Sequence, residues 1–81
     1  MTLVINMYSR IRDLREDSDL TQKQIAELLN TNQSNYSKTE RGVKALSLEE
    51  AIKLALFYKV SLDYLVGLTD EKAPYPKSRR K

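Results

Sequence analysis

The chain of 81 residues contains no cysteine, no histidine and no tryptophan, and it has only two glycines and two prolines. Without cysteine and histidine it lacks disulfide bonds and the usual ligands of structural zinc, so we expect no metal ion and no cofactor, and helix packing has to stabilise the fold. Cysteine and histidine are also common nucleophiles and general bases, and their absence argues against an enzyme. A chain without cysteine fits a reducing cytoplasm, where we expect this protein.

Long apolar runs are missing too. No stretch is long enough to cross a membrane, and the N-terminus lacks the basic region and the long apolar segment of a signal peptide, so we expect no membrane partner. The scarcity of glycine and proline, together with many Leu, Ile, Glu and Lys residues, favours an all-α chain. The length is that of one small domain, near the limit at which a single hydrophobic core suffices.

The net charge of +3 is distributed unevenly along the chain. Residues 1–70 carry nine basic and ten acidic side chains, whereas residues 71–81 carry five basic side chains and one acidic one. The basicity therefore comes from the C-terminal end, which either attracts phosphate without specificity or only increases solubility. Within residues 31–48 a smaller positive patch has three basic residues and one acidic residue: Lys38, Arg41, Lys44 and Glu40.

Helical spacing of apolar residues predicts a first helix over residues 7–17, because Met7, Ile11 and Leu14 lie on one face. The opposite, polar side carries four charged residues: Arg10, Arg12, Asp13 and Glu16. Residues 1–6 form an N-terminal arm. Its apolar, β-branched composition fits a disordered start, a short strand or an arm that packs on a partner subunit.

Residues 21–42 contain two short helix signals with almost nothing between them. Thr21 caps the first of these two helices, and Gln24 three residues later completes a capping box. The apolar side of this second helix of the chain has four members: Ile25, Ala26, Leu28 and Leu29. Thr31, again a capping residue type, is predicted to start the third helix, which ends at Gly42 because glycine readily adopts the left-handed conformation.

The third helix is polar nearly all round, and Tyr36 is its only large apolar residue, which we expect to pack in the core. A helix of this kind buries too little apolar surface to be held in place by that surface. Its function therefore depends on the polar groups that it exposes. Amides, hydroxyls and an ammonium hydrogen-bond to base edges and phosphates, and Ser34 and Lys38 share the outward side. A solvated face is the alternative. Two helices joined by a tight turn, the second of them polar, nevertheless indicate a helix-turn-helix.

The fourth helix begins at Ser47, which forms a second capping box with Glu50. Its core face is predicted to consist of five residues: Leu48, Ala51, Ile52, Ala55 and Tyr58. Leu54, Leu56 and Phe57 are apolar as well, and one face cannot bury all of them.

A fifth, short helix over residues 62–66 is capped by Ser61 and ends at Gly67. From residue 69 onward the chain has two prolines, many charges and no periodicity, which predicts a basic, disordered tail over residues 69–81. The helical domain is therefore expected to span residues 7–68.

Short motifs of the helical domain occur in a characteristic order: Leu20-Thr21-Gln22, Ile25-Ala26, Asn32 to Asn35, Tyr36-Ser37, Glu40-Arg41-Gly42, Ser47-Leu48-Glu49, Leu54-Ala55 and Val60 to Gly67. Together they resemble the Cro/C1-type (xenobiotic-response-element-type) helix-turn-helix family of phage and bacterial repressors. The resemblance implies a compact, five-helix, lambda-repressor-like domain that binds double-stranded DNA in a sequence-specific way and regulates transcription, in the first place as a repressor.

The same resemblance implies roles for individual residues on and around the third helix. Gln33 would contact a base edge, because an amide both donates and accepts and so suits adenine, and Ser34 and Lys38 would add base contacts. The phosphate contacts would come from five residues: Gln22, Asn35, Arg41, Lys44 and Arg15. Arg15 would also form an ion pair with Glu40 that ties the third helix to the first, with two unrelated surface charges as the alternative.

Two departures from the family pattern are visible. The turn between the second and third helices often has glycine where this chain has Asn30, and asparagine tolerates the left-handed geometry. Many relatives carry a second domain that binds an effector or forms oligomers, and no segment of that size follows Gly67. We therefore expect no small-molecule effector.

A two-fold dimer on a palindromic operator is also expected, because one reading helix covers too few base pairs and a dimer reads two half-sites about 34 Å apart. Surplus apolar residues of the fourth and fifth helices would form the dimer interface: Leu56, Phe57, Tyr64 and Val66. The alternative is that the N-terminal arm or the tail covers this surface within one monomer.

A protein-interaction module is the rival functional hypothesis. In that case the fold is the same, but the apolar flank of the fourth and fifth helices binds an antagonist, a toxin or a polymerase subunit. Salt-dependent binding to operator-like DNA distinguishes the two classes, since phosphate contacts produce a steep negative salt slope.

Overall fold

A computed structural model of the chain describes residues 7–73; the N-terminal arm and residues 74–81 of the predicted tail lie outside the described residues. Within this range the chain forms five α-helices and no strand. The helices are α1 (Met7–Asp17), α2 (Gln22–Leu28), α3 (Gln33–Glu40), α4 (Leu48–Tyr58) and α5 (Leu62–Leu65). The predicted all-α, five-helix architecture is confirmed. None of these five helices has the length and apolar composition needed to span a membrane.

Every helix ends at a residue with left-handed backbone. Five described residues have positive φ, one at each helix end: Asp19, Asn30, Gly42, Lys59 and Gly67. After α3, the Gly42 N–H donates to the carbonyl of Thr39 at 3.1 Å, and the Val43 N–H donates to the carbonyl of Lys38 at 2.9 Å. This pair of bonds is the Schellman motif, and equivalent pairs close the other four helices. Short helices therefore stop sharply although the chain has only two glycines.

One hydrophobic core joins all five helices. Each helix contributes one large side chain that is no more than 1% exposed: Ile11, Ile25, Tyr36, Leu54 and Leu65. Partly buried leucines from α1, α2 and the loops pack around this centre. The polar helix α3 is thus anchored by a single large side chain, Tyr36, as its sequence predicted.

The N-terminus of α3 differs from the prediction by one residue. Asn32, not Thr31, is the cap, because its side-chain oxygen accepts a hydrogen bond from the Asn35 N–H at 2.8 Å. Thr31 belongs to the end of α2, where its N–H donates to the carbonyl of Ala26 at 2.9 Å. The Thr31 hydroxyl then accepts a bond from Nδ2 of Asn35 at 3.2 Å.

The predicted core face of α4 was wrong in part. Leu48 and Ile52 are 68% and 43% exposed, whereas Leu54, which was expected to reach the core from the edge of that face, is completely buried. The helix packs through Ala51, Leu54 and Ala55, because two small alanines allow its backbone to approach the core closely. Since α4 is apolar on most of its circumference, periodicity alone does not determine which side faces inward.

Arg10 on α1 holds the C-terminal end of α5. Its Nη1 donates to the carbonyls of Tyr64 at 2.9 Å and Thr69 at 2.7 Å, and its Nη2 donates to Asp70 Oδ1 at 3.1 Å. The guanidinium also lies 4.1 Å from the centre of the Tyr64 ring. The side chain is only 16% exposed, although sequence periodicity placed it on the polar side of the helix.

Residues 69–73, predicted as the start of a disordered tail, lie against the helices. Besides the bonds from Arg10, the N–H of Ser61 donates to the carbonyl of Lys72 at 3.0 Å. Residues 69–73 therefore contact the helical domain, which was predicted to span residues 7–68. Periodicity does not reveal this segment because backbone carbonyls, which every residue type has, make its contacts.

Replacing Gly42 with alanine should destabilise the domain by about 1–3 kcal/mol. The backbone at Gly42 has a φ of +77°, which other L residues adopt at a cost of about 1–2 kcal/mol. A Cβ atom on Gly42 would in addition lie 3.2 Å from Cδ2 of the Tyr8 ring. Urea denaturation measures the change in the free energy of unfolding.

Lys59→Gly is the matched control, because Lys59 has a φ of +58° at the end of α4. Glycine relieves the left-handed strain, which stabilises the folded state, but it also gives the unfolded chain more conformational freedom, which destabilises the folded state. Because these two effects nearly cancel, the Lys59→Gly variant should be as stable as wild type or more stable by up to about 1 kcal/mol. Equal losses in both variants would show that left-handed strain is not the cause.

Candidate nucleic-acid interface

The turn between α2 and α3 is fixed by bonds at both of its ends. At the start of α2 the capping box is present as predicted: the Thr21 hydroxyl accepts from the Gln24 N–H at 3.1 Å, and the Thr21 N–H donates to Oε1 of Gln24 at 2.8 Å. Residues 29–32 then reverse the chain through the left-handed Asn30 and the Asn32 cap. This geometry is the helix-turn-helix that the sequence indicated.

The exposed face of α3 is made of short polar and basic side chains. Tyr36, Thr39 and Glu40 are buried, and at 100° per residue the opposite side of the helix has four members: Ser34, Ser37, Lys38 and Arg41. Gln33 stands at the N-terminal edge of this face and is exposed. Within residues 7–73 the side chains of Gln33, Ser34 and Lys38 form no hydrogen bond, so their donors and acceptors are available to a ligand.

Glu40 at the end of α3 is the centre of a buried polar network. Its carboxylate accepts from Arg15 Nε at 2.6 Å and from Arg15 Nη2 at 3.1 Å, which is a two-pronged ion pair, and from Gln22 Nε2 at 3.1 Å. Arg15 Nη1 donates to the carbonyl of Leu20 at 3.0 Å. The Glu40 side chain is only 4% exposed and that of Arg15 12%. The network thereby joins α1, the loop before α2, the first turn of α2 and the end of α3.

Protonation states follow from this burial and pairing. Burial alone raises the pKa of the Glu40 carboxyl, but the hydrogen bonds from Arg15, the neighbouring Tyr36 hydroxyl and the hydrogen bond from Gln22 outweigh it and bring the pKa below its usual range. The hydrogen bond to Glu40 likewise raises the pKa of Arg15. Both groups are therefore charged at neutral pH. Because the charge of Glu40 is paired inside the domain with Arg15, it does not offset the exposed charges of Lys38 and Arg41 on α3.

Two tyrosine hydroxyls lie beside this network without a hydrogen-bond partner among the described residues, those of Tyr36 and Tyr58. Burial raises the pKa of Tyr58 to about 12 and that of Tyr36 further still. Both phenols therefore stay neutral at physiological pH, and the Tyr36 hydroxyl lies next to the Glu40 carboxylate.

The two amides predicted to contact phosphate are both engaged within the domain. Gln22 Nε2 donates to Glu40, and Asn35 Nδ2 donates to Thr31 Oγ1. Each NH₂ group has a second hydrogen, and that hydrogen is the donor left for a phosphate. The internal bonds fix the direction in which it points.

The predicted basic phosphate contacts differ in their surroundings. Arg41 caps the C-terminus of α3, is exposed, and places Nε 3.4 Å from the carbonyl of Ser37. Lys44 is half-buried, and its N–H donates to the carbonyl of Lys38 at 3.2 Å. The side chain of Arg15 is directed to Glu40 and Leu20, not to the solvent. Its position is that of a support for α3.

The predicted dimer residues do not share one environment. Leu56 is 74% exposed and Phe57 45%, but they lie 100° apart around α4, and the Phe57 ring packs edge-on against Tyr58. The centre of the Tyr64 ring lies 4.1 Å from the Arg10 guanidinium and 5.9 Å from Nζ of Lys72. Val66 caps α5 and is half-buried.

Sequence reasoning missed two contributors to this region. Ser37 lies on the outward face, three residues after Ser34 and four before Arg41, so helical spacing was sufficient to find it. Asn32 was included among the polar residues, but its capping role was assigned to Thr31. Which of two adjacent capping residues starts a helix depends on where the preceding helix ends.

Glu40→Gln should lower the free energy of unfolding by about 3–5 kcal/mol at neutral pH, because it keeps the shape but removes the charge that faces the buried Arg15. The folded-state pKa of Glu40 is lowered. Its contribution is therefore complete above the usual glutamate pKa of about 4.3 and is lost as the pH falls through the folded value. The stability gap between wild type and variant should shrink below about pH 4, as urea titrations across pH will show.

Glu27→Gln, at an exposed position of α2, is the control for this experiment. It should change stability by less than about 0.5 kcal/mol. A gap between wild type and Glu40→Gln that stays constant down to pH 2 would contradict the assigned role of the ion pair.

Comparison with known sequences identifies the family to which this fold belongs. A family model described as helix-turn-helix matches residues 11–65. The uncharacterized HTH-type transcriptional regulator YobD of Bacillus subtilis (strain 168) is 42% identical over 72 residues, which cover 89% of this chain and 62% of YobD. The transcriptional repressor RstR of the cryptic phage CTXphi of Vibrio cholerae is 40% identical over 59 residues, which cover 73% of this chain and 53% of RstR.

A solved structure has the same fold. The crystal structure of a transcriptional regulator from Listeria innocua superposes with a TM-score of 0.79 at 29% identity, covering 85% of this chain and 64% of that chain. This chain thus spans between half and two thirds of the length of these relatives. The expected resemblance is confirmed, and the chain belongs to the Cro/C1-type helix-turn-helix family.

Proposed function

We propose that this chain is the DNA-binding part of a transcriptional repressor that acts in the cytoplasm and reads double-stranded operator DNA with α3 in the major groove. The observation that carries the proposal is the exposed polar face of α3, which is held in place by a buried ion pair at the end of the same helix. A helix with available amide, hydroxyl and ammonium groups on a fixed scaffold is suited to base recognition. One of the similar proteins, RstR, is named a transcriptional repressor.

Base contacts are assigned to Gln33, Ser34 and Lys38. These side chains are exposed and have no hydrogen bond within the described residues, so binding DNA breaks none of the domain's own bonds. The Gln33 amide is suited to paired hydrogen bonds with adenine, whereas the Lys38 ammonium is suited to guanine or to a phosphate.

Phosphate contacts are assigned to Gln22, Asn35, Arg41 and Lys44, which surround the exposed face of α3. The two amides offer their remaining N–H donors, and the two basic residues supply positive charge. Arg15 does not contact the DNA itself in this proposal. It binds Glu40, which fixes the position of α3 and, through a second hydrogen bond, that of the Gln22 side chain.

The repressor is proposed to bind as a two-fold dimer on a palindromic operator. One α3 contacts only a few base pairs, and two copies related by a two-fold axis read half-sites about 34 Å apart, which raises selectivity.

The functional test compares Gln33→Ala with wild type on DNA sites selected from a random pool. Loss of a paired amide contact should weaken binding to the best site by about 1–3 kcal/mol and relax the preference at one base position. An unchanged ranking of sites would show that Gln33 does not read bases.

Lys44→Ala is the matched phosphate variant. It should weaken binding to all sequences by a similar factor and reduce the slope of log affinity against log salt by about 1. If wild type itself shows no binding to any DNA at low salt, the proposed function is wrong.

A further inference from the structure

The loop that follows α3, residues 41–44, carries both of the basic residues that are proposed to contact phosphate, Arg41 and Lys44. We refer to these four residues as the α3–α4 loop. The first three of them are exposed and the fourth is half-buried. The N–H groups of Val43 and Lys44 both donate to the carbonyl of Lys38, at 2.9 and 3.2 Å. The loop is therefore attached to α3 by backbone bonds, and it buries little surface of its own.

The ring of Tyr8, in the first turn of α1, lies directly against Gly42 in this loop. The three heavy atoms nearest to the position of a Cβ atom on Gly42 all belong to this ring, at 3.2, 3.4 and 3.7 Å. Because glycine has no side chain, the ring approaches the loop backbone itself. The ring thus holds the loop from the side of α1, in addition to the backbone bonds that hold it from α3.

Tyr8 and Arg15 together support the end of α3 at two points. Seven residues are close to two helical turns, so both side chains lie on the same side of α1, about 10 Å apart along its axis. Arg15 binds Glu40 at the end of α3, and Tyr8 contacts Gly42 two residues later. A single contact would let the end of α3 and the loop turn about it, whereas a second contact restricts that motion.

The contact between Tyr8 and Gly42 is made by ring carbon atoms, not by the phenolic hydroxyl. The Tyr8 side chain is half-buried, and its hydroxyl forms no hydrogen bond within residues 7–73. The contact is therefore one of van der Waals packing, which a phenylalanine ring would preserve and an alanine would lose.

We propose that Tyr8 is a positioning residue for DNA binding, whose ring holds the α3–α4 loop so that Arg41 and Lys44 are already placed for the phosphates. A loop that is fixed before binding loses less conformational entropy when it binds. The inference rests on the proposed function for the roles of Arg41 and Lys44, but the effect of Tyr8 on the loop is testable without DNA. Base recognition by α3 does not depend on this contact.

DNA binding across salt concentrations compares Tyr8→Ala with Tyr8→Phe. Tyr8→Ala should raise the dissociation constant about three- to tenfold on the best site and on random DNA alike, because phosphate contacts are common to all sequences. The slope of log affinity against log salt should fall by about 1, and the ranking of sites should stay the same. Tyr8→Phe should bind like wild type, with the wild-type slope.

An unchanged salt slope in Tyr8→Ala would overturn the proposal, because a loss of folded protein lowers the apparent affinity without changing the slope. Equal losses in Tyr8→Ala and Tyr8→Phe would overturn it too, since the hydroxyl would then bind DNA directly. Thermal melting shows whether each variant is folded at the temperature of the binding assay. If Tyr8→Ala is not folded, Tyr8→Leu takes its place, with the same change in slope expected because leucine lacks the flat ring.

Amide hydrogen exchange tests the contact without DNA. In Tyr8→Ala the N–H groups of Val43 and Lys44 should exchange at least tenfold faster than in wild type, whereas Tyr8→Phe should keep the wild-type rates. The N–H of Thr31, which makes the corresponding bond at the end of α2, is the internal control and should keep its rate in both variants. Unchanged exchange at Val43 and Lys44 would overturn the proposal, and so would equal acceleration at all three amides, which reports only a loss of global stability.

These measurements separate failure of this inference from failure of the proposed function. If wild type binds DNA, and Tyr8→Ala changes neither the salt slope nor the exchange of the loop amides, the proposed function stands and only the role of Tyr8 is wrong. If wild type binds no DNA at low salt, the proposed function fails, and hydrogen exchange still decides whether Tyr8 holds the α3–α4 loop.

Discussion

The ion pair between Arg15 and Glu40 is the contact on which the position of α3 depends. It joins two helices that are far apart in sequence, and Leu20 and Gln22 enter the same network through further hydrogen bonds. Burying two charges costs desolvation energy that their attraction only partly returns, so such a pair contributes less to net stability than its short distance suggests. Its effect is directional: a planar guanidinium with two bonds to one carboxylate holds α3 in a single orientation.

This constraint matters because α3 buries little apolar surface. Tyr36 is its only large buried side chain, and the rest of its surface is polar. A helix that buried more apolar surface would be held more firmly, but it would have fewer groups to present to DNA. The chain resolves this conflict with one aromatic anchor and one buried ion pair, while Gln33, Ser34 and Lys38 remain exposed.

Two arginines of the first helix hold the C-terminal ends of two other helices, α3 and α5. Arg15 holds α3, and Arg10 binds the end of α5 and the segment that follows it. Both side chains are largely buried, although each belongs to a residue type that is usually exposed. In so small a domain the apolar core is limited, and long arginine side chains add packing area as well as hydrogen bonds. The helices α3 and α5 are therefore attached by these polar contacts as well as by their buried core side chains, Tyr36 and Leu65.

Local sequence determined the helices, since apolar spacing and capping residues act within one or two turns; Thr21, Ser47 and Ser61 each start a helix as predicted. Tyr36 was likewise assigned to the core, as the only large apolar residue of a polar helix. Only the tertiary structure decided which side of α4 faces inward, because Leu54 and Ile52 are equally apolar and differ only in what surrounds them. The tertiary structure also decided the burial of Arg10 and the docking of residues 69–73. The carbonyl groups that bind Arg10 are the same in every residue, so the sequence does not mark them. They become a binding site only when the folded chain brings them together.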